Sequence, residues 1–178
     1  MAREYRHMDG SDLDRLRDLD RSERVITAYA MEGDELVSRT VGWDIPCWQD
    51  DDDEHSYAHM IDFCREHMVA GARVLGCLTA DERLIGIGAM RPGLETDVAQ
   101  LAFLHVSRPY RRQGLAAELL VQLTDRARAT GARELYVSSA PTESAVSFYR
   151  RTGFSVTGHP NAELRALEPQ DIHLRRPI

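Results

Sequence analysis

The sequence predicts a mixed α/β domain, and three observations carry that prediction. Strand-like runs at 73–80, 84–91 and 98–106 are separated by short turns, which gives this stretch an antiparallel look. Apolar residues recur at helical spacing in two places: Tyr57, Met60, Ile61, Cys64 and Met68, then Leu115, Leu119, Leu120, Leu123 and Ala127. A loop rich in Arg and closed by Gly114 joins the last of these strands to the second helix.

Each element follows from local chemistry. Residues 3–8 read as a short strand. Ser11 is placed to cap a helix carrying Leu13, Leu16 and Leu19. Runs at 25–31 and 35–41 flank Glu32, Gly33 and Asp34, the pattern of a hairpin. Residues 42–48 hold two Trp, one Pro and one Cys, and read as an ordered loop. An acidic run at 50–54 precedes the first helix, which Gly71 ends. Gly131 ends the helix that opens at Gly114. Residues 134–138 form a short strand, and Thr142 caps a helix reaching about Arg151. Gly153 and Phe154 open a further strand, and 171–176 closes the sheet.

Composition excludes several chemistries. The chain has 178 residues, enough for one domain with a real core. All 22 basic residues are Arg, so neither a lysine Schiff base nor a P-loop lysine is available. Anion recognition falls to Arg, whose planar fork binds phosphate and carboxylate. The net charge of -7 argues against generic nucleic-acid binding. No apolar run approaches a membrane span, and the charged start is no signal peptide. Three cysteines without a C-x-x-C pair support neither a disulfide scaffold nor a thiolate zinc site. The expected setting is the cytoplasm, with reduced thiols.

The informative stretch is 98–154. A buried strand runs into the loop 107–113, and the loop runs into a helix. A helix N-terminus offers unpaired N–H groups and partial positive charge, the elements of a phosphate site. Gly114 lets a ligand approach the backbone, Ala116 keeps the next turn narrow, and Arg111 and Arg112 can neutralise a diphosphate. Neither G-x-x-x-x-G-K nor G-x-G-x-x-G is present here, so this is neither a P-loop nor a dinucleotide fingerprint.

The run Arg111, Arg112, Gln113, Gly114, Leu115, Ala116 resembles the acetyl-CoA motif Q/R-x-x-G-x-G/A of the GCN5-related N-acetyltransferase superfamily. Residues 142–154 resemble a second signature of that superfamily, N-x-x-A-x-x-F-Y-x-x-x-G-F, and stand at the right distance from the first. The resemblance covers about the last half of the chain. It implies an α+β fold: a mixed, mostly antiparallel sheet of six to seven strands with helices on both faces. It implies one domain over 1–178, with a variable, acceptor-side part at 1–70 and a cofactor-binding core at 73–176. Acetyl-CoA is the implied co-substrate, with no metal. The implied partner is a small-molecule or protein amine, with no nucleic acid and no membrane. Oligomeric state stays open, a homodimer being common for the fold.

Residue roles follow from the same resemblance. Pantetheine pairs with the backbone at Leu104, His105 and Val106. The diphosphate sits on Arg112, Gln113, Gly114, Leu115 and Ala116, with Arg111 beside it. Tyr149 is the acid that protonates the leaving thiolate, and Phe148 is a core aromatic. The superfamily's Asn is Thr142 here, which keeps the cap but lacks the amide that contacts cofactor. The superfamily has no fixed base, and the candidates His105, Glu95, Asp97 and Asp44 stay undecided; for His105 a packed position on the sheet's other face is the preferred reading.

Other features have plainer readings. His55, His59, Asp62 and Glu66 share a helical face and read as solvated rather than metal-binding. The acidic run reads as loop charge ahead of a helix. Trp43 and Trp48 either line an acceptor site or close the core. The competing function is a catalytically silent acyl-CoA-binding module of the same fold.

Overall fold

The computed structural model describes residues 3–50 and 56–178. The acidic run beyond Asp50, and His55, lie outside the described residues. In chain order the elements are β1 (Arg3–His7), a 3-10 turn (Leu13–Asp18), β2 (Glu23–Glu32), β3 (Glu35–Ile45), α1 (Tyr57–Val69), β4 (Arg73–Thr79), β5 (Leu84–Glu95) and β6 (Val98–Val106). A second 3-10 turn (Arg108–Tyr110) leads to α2 (Leu115–Ala129), β7 (Glu134–Ser139), α3 (Glu143–Arg151), β8 (Ser155–Val156), α4 (Ala162–Leu167) and β9 (Ile172–Pro177). No helix is long and apolar enough to cross a membrane among the described residues.

Seven strands form one sheet in the order β1-β4-β5-β6-β7-β9-β8, and only the β6–β7 pair is parallel. This is the mixed, mostly antiparallel sheet the motifs imply. β2 and β3 form a separate two-stranded ribbon. The ribbon is tied to the sheet's end where Tyr29 N–H donates to the Pro141 carbonyl at 2.7 Å.

Each sheet face buries its own core. On one face α2 lays Leu115, Leu119, Leu120, Leu123 and Ala127 against Leu75, Ile85 and Leu101. Burying each such leucine contributes roughly 1.5–3 kcal/mol. Gly88 on β5 makes this close approach possible: a Cβ there would stand 2.7 Å from Leu123 Cδ1. On the other face α1 and the first 3-10 turn pack Ile61, Cys64, Leu13 and Leu16 against Val74, Leu84 and Ile87. Ser56 caps α1 by accepting from His59 N–H.

Three expectations are corrected. Ser11 caps nothing; its N–H and hydroxyl both donate to the Asp9 carboxylate, and the following segment winds as a 3-10 helix without a side-chain cap. Residues 42–45 are strand, because Trp43, Asp44 and Ile45 pair with Val25, Arg24 and Glu23. Residues 162–167, not anticipated as a helix, form one that Asn161 caps. Thr142 does cap α3, accepting from Ala145 N–H at 3.3 Å. Thr142→Ala is expected to cost about 1 kcal/mol, which a melting curve reads as a drop of roughly 2–4 °C.

Candidate functional site

β6 determines the site. Its pairing with β5 shifts register so that Ala89 faces Phe103 while Met90 faces Leu101, leaving Ala102 as an extra residue. Such a bulge reverses which face the following side chains take. Ala99 and Leu101 before it, and Leu104 and Val106 after it, therefore all meet the α2 core. Gln100, Phe103 and His105 belong to the other face, where His105 packs against Trp48 with ring centroids 5.2 Å apart. Trp48 is thus core, 3% exposed, whereas Trp43 on β3 is 44% exposed.

The parallel β6–β7 ladder holds for three residue pairs only, from Val98–Glu134 to Gln100–Tyr136. Beyond it, residues 101–106 keep β5 as a partner on one side and, among the described residues, have no strand partner on the other. An opening with an unpaired strand edge can accept an extended, amide-bearing chain by backbone hydrogen bonding.

At the β6 end of the opening the chain turns into α2. Arg112 has φ 63° and Gly114 has φ 86°, so two residues of the turn are left-handed. Among the described residues, none accepts from the N–H groups of Arg112, Gln113 or Gly114. Those groups and the first turn of α2 make a concavity of donors suited to an anion. Arg112 is at the protein surface, its side chain without a partner among the described residues, while Arg3 donates to Gln113 Oε1 at 2.8 Å.

The Arg111 guanidinium is committed elsewhere. It donates to the carbonyls of Val106, Arg21 and Ser22 and faces Glu23 at 3.3 Å. It therefore fastens the segment before β2 to the end of β6. Its guanidinium is thus not a free fork for an anion.

Tyr149 lies on α3, 6% exposed, edge-on to Phe148 and Phe154. Burial raises its phenol above the usual value, and the nearby Asp171 charge adds to that. The hydroxyl is therefore a proton donor at neutral pH. Thr142 is buried, and its hydroxyl serves the α3 cap and Ser144.

The four candidate bases separate clearly. Burial, with Arg21 and Arg111 nearby, pushes His105 down to about 4. Glu95 is gripped by Arg175 through both oxygens at 2.8 Å, which lowers its carboxyl. Asp44 pairs with Arg24 at 2.6 Å on the exposed ribbon. Asp97 sits in the β5–β6 turn, at the end of β6 opposite the anion loop. Two further groups, which no sequence pattern singles out, are joined across β7 and β9: the Ser138 hydroxyl donates to the Asp171 carboxylate at 2.9 Å, and the Asp171 charge reaches the Tyr149 phenol.

Comparison with known proteins places the fold and the family. The model of the acetyltransferase (GNAT) family matches residues 12–154. An amino-acid acetyltransferase of Azotobacter vinelandii (strain DJ / ATCC BAA-1303) is 35% identical over 78 residues, 44% of this chain. The match spans only 17% of that longer relative. The structure of nourseothricin acetyltransferase superposes with a TM-score of 0.75 at 18% identity, covering 99% of both chains. The PaiA N-acetyltransferase of Thermoplasma acidophilum, solved with coenzyme A, superposes with a TM-score of 0.64 at 16% identity over 100% of both chains. With the family model spanning the opening, the loop and Tyr149 together, the chain belongs to the acetyltransferase (GNAT) family.

Proposed function

We propose that this protein transfers the acetyl group of acetyl-CoA to a primary amine by direct attack on the thioester. The observation that carries the reading is the parting of β6 from β7, with the donor-lined loop following β6 and α3, which carries Tyr149, following β7. In this reading the free edge of β6 at Leu104, His105 and Val106 pairs with the pantetheine amides. The N–H groups from Arg112 to Ala116 hold the diphosphate. A β6 backbone N–H aimed at the thioester oxygen stabilises charge as it develops there. The Tyr149 phenol, protonated at working pH, supplies the leaving sulfur with its proton. The acceptor is a small-molecule or protein amine. The likenesses to nourseothricin acetyltransferase and to an amino-acid acetyltransferase support placing nourseothricin and free amino acids in the test panel.

A thiol-release assay with acetyl-CoA across this panel tests the reading. Release matched by acetylated amine is expected for at least one acceptor. Acetyl-CoA binding without release from any acceptor would instead support a silent acyl-CoA-binding module. Gly114→Val probes the loop. A β-branched residue at φ 86° is strained by roughly 1–3 kcal/mol. Calorimetric titration is expected to show acetyl-CoA binding weakened about tenfold or more.

A further inference from the structure

We propose that Asp171 is the base that takes the proton from the acceptor ammonium. The proposal rests on the acetyl-transfer reading above and supplies the role that His105, Glu95, Asp44 and Asp97 do not fill.

Asp171 immediately precedes β9, the strand that pairs with β7. Ser138 Oγ donates to its Oδ2 at 2.9 Å, which fixes the carboxylate beside the C-terminal end of β7. That is the end at which β7 has parted from β6. Among the described residues no hydrogen bond to Oδ1 is present, so one oxygen is left for a ligand. The charge of this carboxylate is also felt by the Tyr149 phenol, whose ring packs in the α2 core.

Two buried polar atoms on the same sheet face point to a ligand there. Gln100 is 5% exposed, and its Oε1 has no partner among the described residues. His173 is 7% exposed; its Nδ1 meets Tyr136 Oη at 2.7 Å, and its Nε2 has no partner among the described residues. Gln100 stands opposite Tyr136, and His173 opposite Ser138, so the three strands set these groups side by side. Buried polar atoms in native proteins are rarely left unpaired. A polar acceptor lying along this face would pair both.

The groups facing Asp171 set its behaviour. Ser138 comes from β7 and Glu168 from the segment after α4; His173 lies two residues further along β9, and the Asp171 charge reaches the Tyr149 phenol on α3. Burial and Glu168 raise the carboxyl, Ser138 opposes them, and the result is about 6. Asp171 is then ionised at neutral pH yet basic enough to accept a proton.

The protons balance. One passes from the acceptor R–NH3+ to the Asp171 carboxylate, leaving a neutral amine. The nitrogen lone pair forms the C–N bond to the acetyl carbon, and the C–S bond breaks. Sulfur takes its proton from Tyr149. The proton that nitrogen then sheds restores the phenol, and Asp171 returns its own to water.

The test compares wild type, Asp171→Asn and Ser138→Ala by acetyl-CoA titration and by thiol release from pH 5 to 9, with an acceptor the wild type uses. Asp171→Asn is expected to bind acetyl-CoA within twofold of wild type and to lose about 100-fold in kcat at pH 7. It should also lack the fall in rate below about pH 6 expected of the wild type. Should the Asn variant not fold, Ser138→Ala still decides: losing the bond that lowers the Asp171 carboxyl moves that fall to higher pH. An Asn variant with wild-type kcat and an unchanged acid limb, or an unmoved limb in Ser138→Ala, would overturn the base. A wild type that binds acetyl-CoA but acetylates nothing would overturn the transfer reading, and the base with it.

Discussion

Tyr149→Phe is expected to lower kcat about 100-fold while leaving acetyl-CoA affinity within twofold, read by thiol release and by titration. The substitution removes one oxygen and keeps the ring. The edge-on contacts with Phe148 and Phe154 therefore persist, and so does the α2 core to which the ring belongs. No hydrogen bond to the hydroxyl is present among the described residues, so the melting temperature should barely move. A loss confined to kcat locates the effect in the chemical step. The pH profile sharpens the assignment. Burial and the Asp171 charge both favour the neutral phenol, so Tyr149 should stay protonated, and its ionisation should cause no fall in rate, up to pH 10.

Arg111→Met is expected to destabilise the fold by roughly 2 kcal/mol, observed as a melting temperature lower by about 4–8 °C. Methionine keeps the aliphatic stem but removes every donor. The carbonyls of Val106, Arg21 and Ser22 lose a charged donor together, and Glu23 loses its ion partner. The pair is partly exposed, 29% and 22% by side chain, so water recovers part of the loss. The same bonds join the chain before β2 to the start of the anion loop. Weaker acetyl-CoA binding should accompany the thermal shift. Were Arg111 instead a free diphosphate ligand, affinity would fall with no change in melting temperature.

Much of this could be read from residue pattern, and the exceptions have identifiable causes. The α2 face was legible because five apolar residues repeat at helical spacing and all five are buried. Thr142 was legible as a cap because hydroxyl residues at that position satisfy an otherwise orphaned N–H. The extent of the β2–β3 ribbon was not, since much of it is exposed and its strands show no clean alternation. Ser11 was misleading because the nearby Asp9 carboxylate competes for its hydroxyl. The face taken by His105 hinges on a bulge at Ala102, which no residue type announces. Arg111 fits a motif position, yet its side chain serves a segment 88 to 90 residues earlier. Asp171 is joined to Ser138 across 33 residues by the β7–β9 pairing, and local pattern holds no trace of that.

Hydrogen exchange of the backbone amides, with and without saturating acetyl-CoA, tests the central claim most directly. The claim is that the unpaired edge of β6 and the turn into α2 hold that molecule. Protection is expected in two stretches, 101–106 and 112–117, because binding supplies partners to amides that lack them. The β2–β3 tip around Gly33, remote from both, should exchange as before. Binding that leaves both stretches unprotected, or that protects only residues elsewhere, would contradict the account.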